Sequence, residues 1–442
     1  MRLGYLTGFL LAVVLGVVYV ASLIGARAEV TTSASSTASV GLLLLGAWMF
    51  GRIVSTINLP KISGYLVFGV LVGPGVLGLI HKSDLTQLQL VNDLAISLIA
   101  LVAGGEIKLA MVRRSWKAIT SVTVAQVVVV FGGVGLVSWL VLPEFVDSLT
   151  GGAAWRVALL VGVIAAASSP AAVVAVIAEL RAHGRMAQLA LSSAVCKDMV
   201  VVTLFTIVVA LIATDHGGGE HEGIVELLAG ELGLSIVVGA VVGLGMSRFV
   251  RRLEDQLPIV VVLACVGIGV LGRAAGLEPL LVALVAGLVM ENMYPEHSDP
   301  VFETLEELSL PVYCVFFAVA GAKIDLVSLG SVWVAAVGLV VVRTILLWIS
   351  VTVGARLAGE DRSTSRWLWT AFVPQAGVSL ALVTLASRAL GDTSGVEVFT
   401  LVLAAIAMHE LVGPILFSVG LTRAGERDSD AASGGGSRGG SH

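Results

Sequence analysis

Apolar segments of about 20 residues recur along the whole chain, separated by short polar stretches. A helix needs about that length to cross the hydrocarbon of a bilayer, where it also satisfies its own backbone hydrogen bonds. Only 13% of the 442 residues are charged, against about 25% in soluble domains, and the mean hydropathy is +1.00. The sequence therefore predicts an all-α polytopic membrane protein.

The apolar lengths and their breakers predict 13 or 14 transmembrane helices. Their expected bounds are 3–25, 39–57, 62–80, 90–109, 117–141, 155–179, 187–213, 224–248, 257–273, 278–291, 309–322, 331–356, 366–390 and 395–420.

The two ends of the chain differ from the rest. Residues 1–38 are expected to hold an extra transmembrane helix or a signal peptide, followed by a linker; the long apolar run favours the helix. Residues 422–442, which end in "SGGGSRGGSH", are expected to form a disordered cytoplasmic tail.

Basic residues alternate between successive loops. Loops such as "RRSWK" and "SRFVRRLED" are rich in Arg and Lys, whereas "PEFVDSLTGG" and "DHGGGEHEG" have none. Because cytoplasmic loops carry the excess of Lys and Arg, the first set is predicted to face the cytoplasm. This orientation predicts a multi-pass protein of the plasma (inner) membrane with a cytoplasmic C-terminus.

Two pairs of segments resemble each other at a spacing of about 217 residues. "LVAGGEIKL" at 101–109 matches "AVAGAKIDL" at 318–326, and 64–74 matches 279–290. The matching spans run in opposite directions, which indicates an inverted-topology repeat of the kind found in secondary transporters. We expect repeats at 39–213 and 257–421, joined by a linking helix in 214–256.

An inverted repeat predicts interrupted helices at matching positions. "AAASSPAAVV" places Pro170 within one span, and "AFVPQAGVSL" places Pro374 at the corresponding point of another. Proline removes a backbone donor and disrupts the preceding turn. Ser168, Ser169 and Gln375 supply polar groups beside these breaks, and two crossed discontinuous helices would form a site near the midplane.

Three charged residues lie within apolar spans: Lys197, Asp198 and Arg343. Charge at the membrane midplane is costly, so such residues generally face a partner or water. Neighbouring helix residues point about 100° apart. Lys197 and Asp198 are therefore not expected to pair, and Asp198 could instead meet Arg343.

A buried carboxylate suits cation–proton exchange. Its ionised form binds a cation, its neutral form carries a proton, and each ligand excludes the other. We therefore expect Asp198 to be the site, with Ser168, Ser169 and Gln375 as further cation ligands. Glu106 and the pair His409–Glu410 are weaker candidates, more compatible with structural roles.

No enzyme motif is complete. "HELVG" at 409–413 begins like a zinc-protease helix but lacks the second His. The three cysteines lie in apolar segments without metal-ligand spacing. We expect no enzymatic activity, no cofactor and no nucleic-acid partner.

Taken in order, these pieces resemble the monovalent cation:proton antiporter superfamily, especially the Kef-type potassium and Nap-type sodium branch. The segments that carry the resemblance are "LPKISGYLVFGVLVGPGVLGL", "ASSPAAVV", "SAVCKDM", "LPVYCVFFAVAGAKIDL", Arg343 and "VPQAGVSLAL", within 40–420. The resemblance implies a six-helix core, a dimerisation domain and hence a homodimer. It places Asp198 at the essential ion-binding Asp and Arg343 at the basic residue of a later core helix.

Lys197 departs from this pattern, because relatives carry Asp, Asn or Gln there. One carboxylate in place of two favours electroneutral exchange of one Na⁺ or K⁺ per proton. The ammonium would also repel a cation, unless it points away or loses its proton. The alternative hypothesis is a transporter of an anion or small acidic solute that uses Lys197 and Arg343.

Overall fold

The computed structural model describes the following residues of the chain: 32–57, 59–81, 84–85, 88–105, 107–145, 152–214, 222–250, 257–293, 295–324, 326–375, 377–390 and 393–426. Most of 1–38, most of the 422–442 tail and Glu106 lie outside them, so the expectations made for those residues remain predictions.

The described chain is built from helices. In chain order the α-helices are α1 Thr32–Ser55, α2 Lys61–Val72, α3 Gln89–Gly105, α4 Leu109–Gln126, α5 Gly132–Phe145, α6 Gly152–Ala166, α7 Pro170–Leu180, α8 Arg185–Thr214, α9 Glu222–Val250, α10 Leu257–Ala274, α11 Pro279–Met293, α12 Pro295–Ala322, α13 Leu326–Leu357, α14 Arg362–Trp367, α15 Gly377–Leu390 and α16 Thr393–Ala424. A π-helical turn, Val127–Phe131, joins α4 to α5, and a 3₁₀ turn, Leu368–Phe372, follows α14.

Length and hydropathy confirm the membrane class. Five of the described helical segments have the length and hydropathy needed to cross a membrane: Val112–Glu144, Ala154–Leu180, Arg185–Val209, Trp333–Leu357 and Val398–Ala424. Seven shorter apolar helices accompany them. The all-α polytopic fold is therefore confirmed.

Several helix bounds differ from the sequence-based expectation: α1 begins at Thr32 and α4 at Leu109, both earlier than expected. The helix expected over 62–80 ends at Val72, because Gly73 and Pro74 break it and the chain turns back. The helix expected to begin near 309 begins at Pro295, since proline is well tolerated in the first turn of a helix.

Helices from the two proposed repeats pack against each other reciprocally. α3 lies against α11, and α2 lies against α12. A Cβ on Gly104 of α3 would lie 2.0 Å from the carbonyl oxygen of Leu284, and one on Gly321 of α12 would lie 2.0 Å from that of Leu66. Gly104 and Gly321 are at matching positions of the proposed repeat, and both let backbones approach as small residues do in membrane helix pairs.

The remaining helices surround two interruptions. α6 ends at Ala166 and α7 begins at Pro170, whereas the 3₁₀ turn ends at Phe372 and α15 begins at Gly377. α8 contacts α4, α6 and α7, and α13 contacts α4 and α16. Both expected breaks, before Pro170 and around Pro374, are present.

Candidate functional site

The two interrupted helices meet at their breaks. The backbone N–H of Ser169 donates to the carbonyl oxygen of Pro374 at 2.9 Å, which joins the two non-helical segments directly. Ser169 is also the N-cap of α7, and its hydroxyl accepts from the N–H of Ala172 at 3.2 Å. Pro170 occupies the first position of α7, where its missing N–H costs nothing.

Arg343 stabilises the ends of both interrupted helices. Its side chain is 1% exposed. It donates to the carbonyl oxygens of Ala165 and Ala167, at 2.7 and 2.8 Å, and to those of Val373 and Phe372, at 3.0 and 3.1 Å. These carbonyls have no intrahelical donor and lie at the negative ends of the helix dipoles. One guanidinium therefore compensates two helix C-termini.

The expected pairing of Asp198 with Arg343 is wrong. None of the three ion pairs in the described part of the chain includes either residue. The planar guanidinium fork presents several N–H donors in fixed directions, and the backbone carbonyls at the crossing take them.

Asp198 is shielded and lacks hydrogen-bond partners. Both of its carboxylate oxygens are inaccessible to solvent, and neither accepts a hydrogen bond from any described residue. The backbone N–H of Ser168 lies near the carboxylate. The Ser168 hydroxyl, fully buried, also lacks a partner. A buried polar group of this kind is costly unless a ligand satisfies it.

Lys197 points to a different partner. Its side chain is fully buried, and its Nζ donates to Oε1 of Gln126 on α4 at 3.1 Å. The ammonium also lies 4.8 Å from the ring centroid of Phe372, within the range of a cation–π contact. As expected, Lys197 and Asp198 form no ion pair with each other within the described residues.

Gln126 and Phe372 were missed by sequence reasoning. Gln126 is the last residue of α4, and the π-helical turn starts at the next position. Such turns often lie at functional sites. A single amide within the apolar run "TVAQVVVVF" was the available signal, whereas nothing in the sequence distinguishes Phe372 from other aromatic residues.

Gln375 lies at the crossing, and its amide nitrogen makes a structural hydrogen bond there. Its Nε2 donates to the carbonyl oxygen of Ile164 near the end of α6, at 3.1 Å. Only its amide oxygen, Oε1, is then available as a cation ligand, and that expected role stays a prediction. The same holds for Ser169, whose hydroxyl already accepts one hydrogen bond.

The weaker candidates His409 and Glu410 face different spaces. His409 lines a cavity of about 10 Å³ with Arg343 and Gln375, large enough for about one water molecule. Its Nδ1 lies 2.8 Å from the carbonyl oxygen of Ala405. Glu410 lines a separate cavity of about 220 Å³ together with Lys323.

Helix α8, which carries Lys197 and Asp198, is held at its first turn. The carboxylate of Glu426 accepts from the N–H groups of Met186 and Ala187 at 2.6 and 2.9 Å. Arg185 forms a bidentate ion pair with Glu360. A carboxylate at a helix N-terminus compensates the dipole and the free N–H groups, so the start of α8 is fixed.

A cavity of about 420 Å³ opens at the end of the molecule that holds the predicted cytoplasmic loops. Its lining includes Glu179, Arg181, His183, Val174 and Leu191. Val174 lies one turn from Pro170, so the cavity reaches from this surface toward the crossing. Glu179, which lines this cavity, accepts from the N–H groups of Lys61 and Ile62 at the start of α2.

Comparison with known proteins decides the family. The family described as "Sodium/hydrogen exchanger, transmembrane" matches residues 40–422. The chain belongs to this sodium/hydrogen exchanger family. It is therefore a membrane transporter of the cation:proton antiporter superfamily and not an enzyme, as the sequence predicted.

Individual exchangers and related efflux proteins are similar over most of the chain. The Na(+)/H(+)-K(+) antiporter GerN of Bacillus cereus is 23% identical over 390 residues, which cover 85% of this chain and 93% of GerN. The glutathione-regulated potassium-efflux protein KefC of Cronobacter sakazakii is 26% identical over 402 residues, 88% of this chain. The match spans only 61% of KefC.

Solved structures agree on the fold of this exchanger. The sodium proton antiporter MjNhaP1 of Methanocaldococcus jannaschii superposes with a TM-score of 0.62 at 18% identity, covering 90% of this chain and 98% of MjNhaP1. An electron-microscopy map of the same antiporter gives a TM-score of 0.70. At this identity the likeness supports the antiporter fold alone.

Proposed function

We propose that this exchanger moves one Na⁺ or K⁺ against one proton, with Asp198 as the group that binds either ion. The observation that supports this is the buried carboxylate of Asp198, whose two oxygens have no hydrogen-bond partner among the described residues. A cation or a proton on the carboxylate would each remove the cost of that buried charge. Only one of them fits at a time, which couples their movements.

The surrounding oxygens fit an alkali cation. The Ser168 hydroxyl is buried without a partner and belongs to the segment whose amide approaches Asp198. Hard cations prefer oxygen ligands. Asp198 and Ser168 therefore form the centre of the proposed site, with Ser169 and Gln375 at its edge.

The contacts of Lys197 support a cation substrate. Its ammonium is directed to Gln126 and Phe372, on α4 and the 3₁₀ turn, and makes no ion pair with Asp198 among the described residues. The proposed cycle requires that Lys197 and Arg343 keep their charges throughout. Cation and proton then neutralise the same carboxylate in turn, so the exchange is electroneutral.

Alternating access would expose the site to each side in turn. The 420 Å³ cavity approaches the crossing from the predicted cytoplasmic end, as an inward-facing state would require. A change of state would have to alter the contact between Glu179 and the start of α2, because these residues line that cavity. We propose that the protein acts as a homodimer in the plasma membrane, with its C-terminus in the cytoplasm.

The anion alternative is not favoured by this geometry. An anion cradle needs guanidinium or ammonium donors that are free to bind the ligand. Arg343 already donates to four backbone carbonyls, and Lys197 donates to Gln126.

Reconstituted exchange distinguishes the two functions. Purified protein in liposomes with an imposed pH gradient is expected to dissipate that gradient when Na⁺ or K⁺ is added. Chloride or a small carboxylate, added as a salt of a large impermeant cation, is expected to have no effect. Dissipation that follows the anion and ignores the alkali cation would overturn the proposal.

A further inference from the structure

An open groove of about 450 Å³ lies where α13 leaves the membrane and α14 begins, away from the ion site. Its lining residues are Trp348, Thr352, Arg356, Arg362, Arg366, Trp367 and Trp369. Trp348, Thr352 and Arg356 recur at every fourth position of α13 and so share one face of that helix. The other residues come from α14 and the turn after it.

The groove carries positive charge without a protein counter-ion. Arg356, Arg362 and Arg366 are exposed, and none of them takes part in an ion pair in the part of the chain that the structure describes. The two acidic residues beside them are engaged elsewhere. Glu360 pairs with Arg185, and Asp361 accepts from the N–H groups of Ser363 and Thr364 at the start of α14.

Asp361 also stays ionised in that role. Its hydrogen bonds with Thr364, joined by the N–H of Ser363, hold the pKa of its carboxyl below the usual range. Its charge is thereby committed to the first turn of α14.

A polar group inside the groove lacks a partner. The side chain of Thr352 lines the groove and is only 8% exposed, and its hydroxyl makes no hydrogen bond to any described residue. Buried hydroxyls are nearly always paired. An unpaired hydroxyl in a groove that three arginines also line points to an acceptor such as a phosphate oxygen.

The groove continues into a surface that fits acyl chains. Trp348 is 51% exposed, and Val341, Ile345 and Val353 on the same helix are each nearly half exposed. These residues lie within the span Trp333–Leu357, and Arg356 is at its end. Trp and Arg at the end of a span are characteristic of the headgroup region. The apolar stripe therefore leads from the membrane to the arginines.

We propose that this groove binds an anionic phospholipid, with the phosphate between Arg356, Arg362 and Arg366 and an acyl chain along the exposed face of α13. The predicted orientation places the groove in the cytoplasmic leaflet, where anionic lipids attract basic residues. The bound lipid would hold α14, and through it the 3₁₀ turn that ends at Phe372 and the following Val373, whose carbonyls accept from Arg343. A bilayer component thereby stabilises one of the two interrupted helices.

Native mass spectrometry of the purified protein in detergent tests the proposal, with phosphatidylglycerol and phosphatidylcholine as probes. We expect the wild type to retain phosphatidylglycerol preferentially. Arg362→Gln with Arg366→Gln should weaken that binding by about 30-fold, since each arginine contributes about 1 kcal/mol toward anionic lipid. Arg113→Gln with Arg114→Gln is the matched control, because these arginines are exposed, lie at the same predicted side and are outside the groove.

Further measurements distinguish lipid binding from loss of folding and from binding of free phosphate. Thr352→Val keeps the shape of the side chain and should weaken phosphatidylglycerol binding several-fold, whereas Arg362→Lys with Arg366→Lys should retain most of it. Equal retention of the two lipids by the wild type would refute the proposal. So would equal losses in the groove and control variants, or a rise in melting temperature with inorganic phosphate as large as that with phosphatidylglycerol.

Discussion

The N–H of Ser169 and the carbonyl oxygen of Pro374 form a 2.9 Å hydrogen bond that joins the two interrupted helices at their breaks. Ser169 follows the end of α6, and Pro374 follows the 3₁₀ turn, so neither group is used by a helix. Arg343 binds carbonyls on both sides of this contact. The crossing is thus a fixed polar structure against which the acid on α8 is placed.

Replacement of Arg343 should destabilise the protein. Arg343→Leu leaves four buried carbonyl oxygens without donors, so we expect the free energy of unfolding to fall by about 3–5 kcal/mol. Arg343→Lys keeps the charge and up to three donors and should lose less. Thermal unfolding in detergent measures both, with the exposed Arg113→Leu as a control.

Thermal unfolding of Arg343→Leu in an Asp198→Asn background tests whether Arg343 interacts with Asp198. Since Arg343 binds the helix ends and not Asp198, the effects of the two substitutions on the free energy of unfolding should add within about 0.5 kcal/mol. A strongly reduced effect of Arg343→Leu in that background would show that the two residues interact after all.

Removal of the Ser168 hydroxyl should weaken cation binding. We expect Ser168→Ala to raise the cation concentration that gives half-maximal exchange by about tenfold, with little change in the maximal rate, because one oxygen ligand is worth about 1–2 kcal/mol. The control is Ser97→Ala, which removes another fully buried, unpaired hydroxyl, on α3. Equal behaviour of the two variants would remove Ser168 from the site.

A second carboxylate should change the stoichiometry. Lys197→Asp places a second acid beside Asp198 and removes the ammonium bound by Gln126. We expect exchange by the wild type to be independent of membrane voltage, clamped with valinomycin and K⁺, and exchange by Lys197→Asp to depend on it. Lys197→Gln removes the ammonium but adds no second carboxylate, so its exchange should stay independent of membrane voltage. Voltage-dependent exchange by the wild type would contradict the electroneutral cycle.

Proton and cation should compete at one site. If both bind Asp198, acidification raises the apparent Michaelis constant for the cation, up to about tenfold per pH unit where the proton predominates, at constant maximal rate. Initial rates at several Na⁺ concentrations and pH values measure this. Acid inhibition that excess Na⁺ fails to relieve would require separate sites.

Sequence patterns predicted the helices and both breaks because apolar length and proline act locally. Gly73 and Pro74, which end α2 early, were also readable, but the polar start of α12 resembled a loop. The partners of Arg343 could not be predicted, since backbone carbonyls have no sequence signature. The direction of Lys197 toward Gln126 depends on how α8 packs against α4, which no single segment specifies.

The sequence predicted the two breaks but not the contacts of the charges beside them, and the roles of Asp198 and Ser168 stay predictions. Asp198, Ser168 and the two breaks came from the rule that charge and proline within a span require a reason. That rule does not say which residue a buried charge contacts. Arg343 was the wrong partner for Asp198, because the backbone carbonyls at the crossing take its N–H donors.

The most direct test of the shared site is Asp198→Asn in proteoliposomes, followed by ²²Na⁺ uptake and pH-gradient dissipation in the same preparation. Asparagine keeps the size of the side chain but neither loses a proton nor carries a negative charge. Both fluxes should fall to the level of empty liposomes, while the melting temperature is unchanged or higher because a buried charge is removed. Coupled Na⁺ and H⁺ movement that persists in the folded variant would contradict the account.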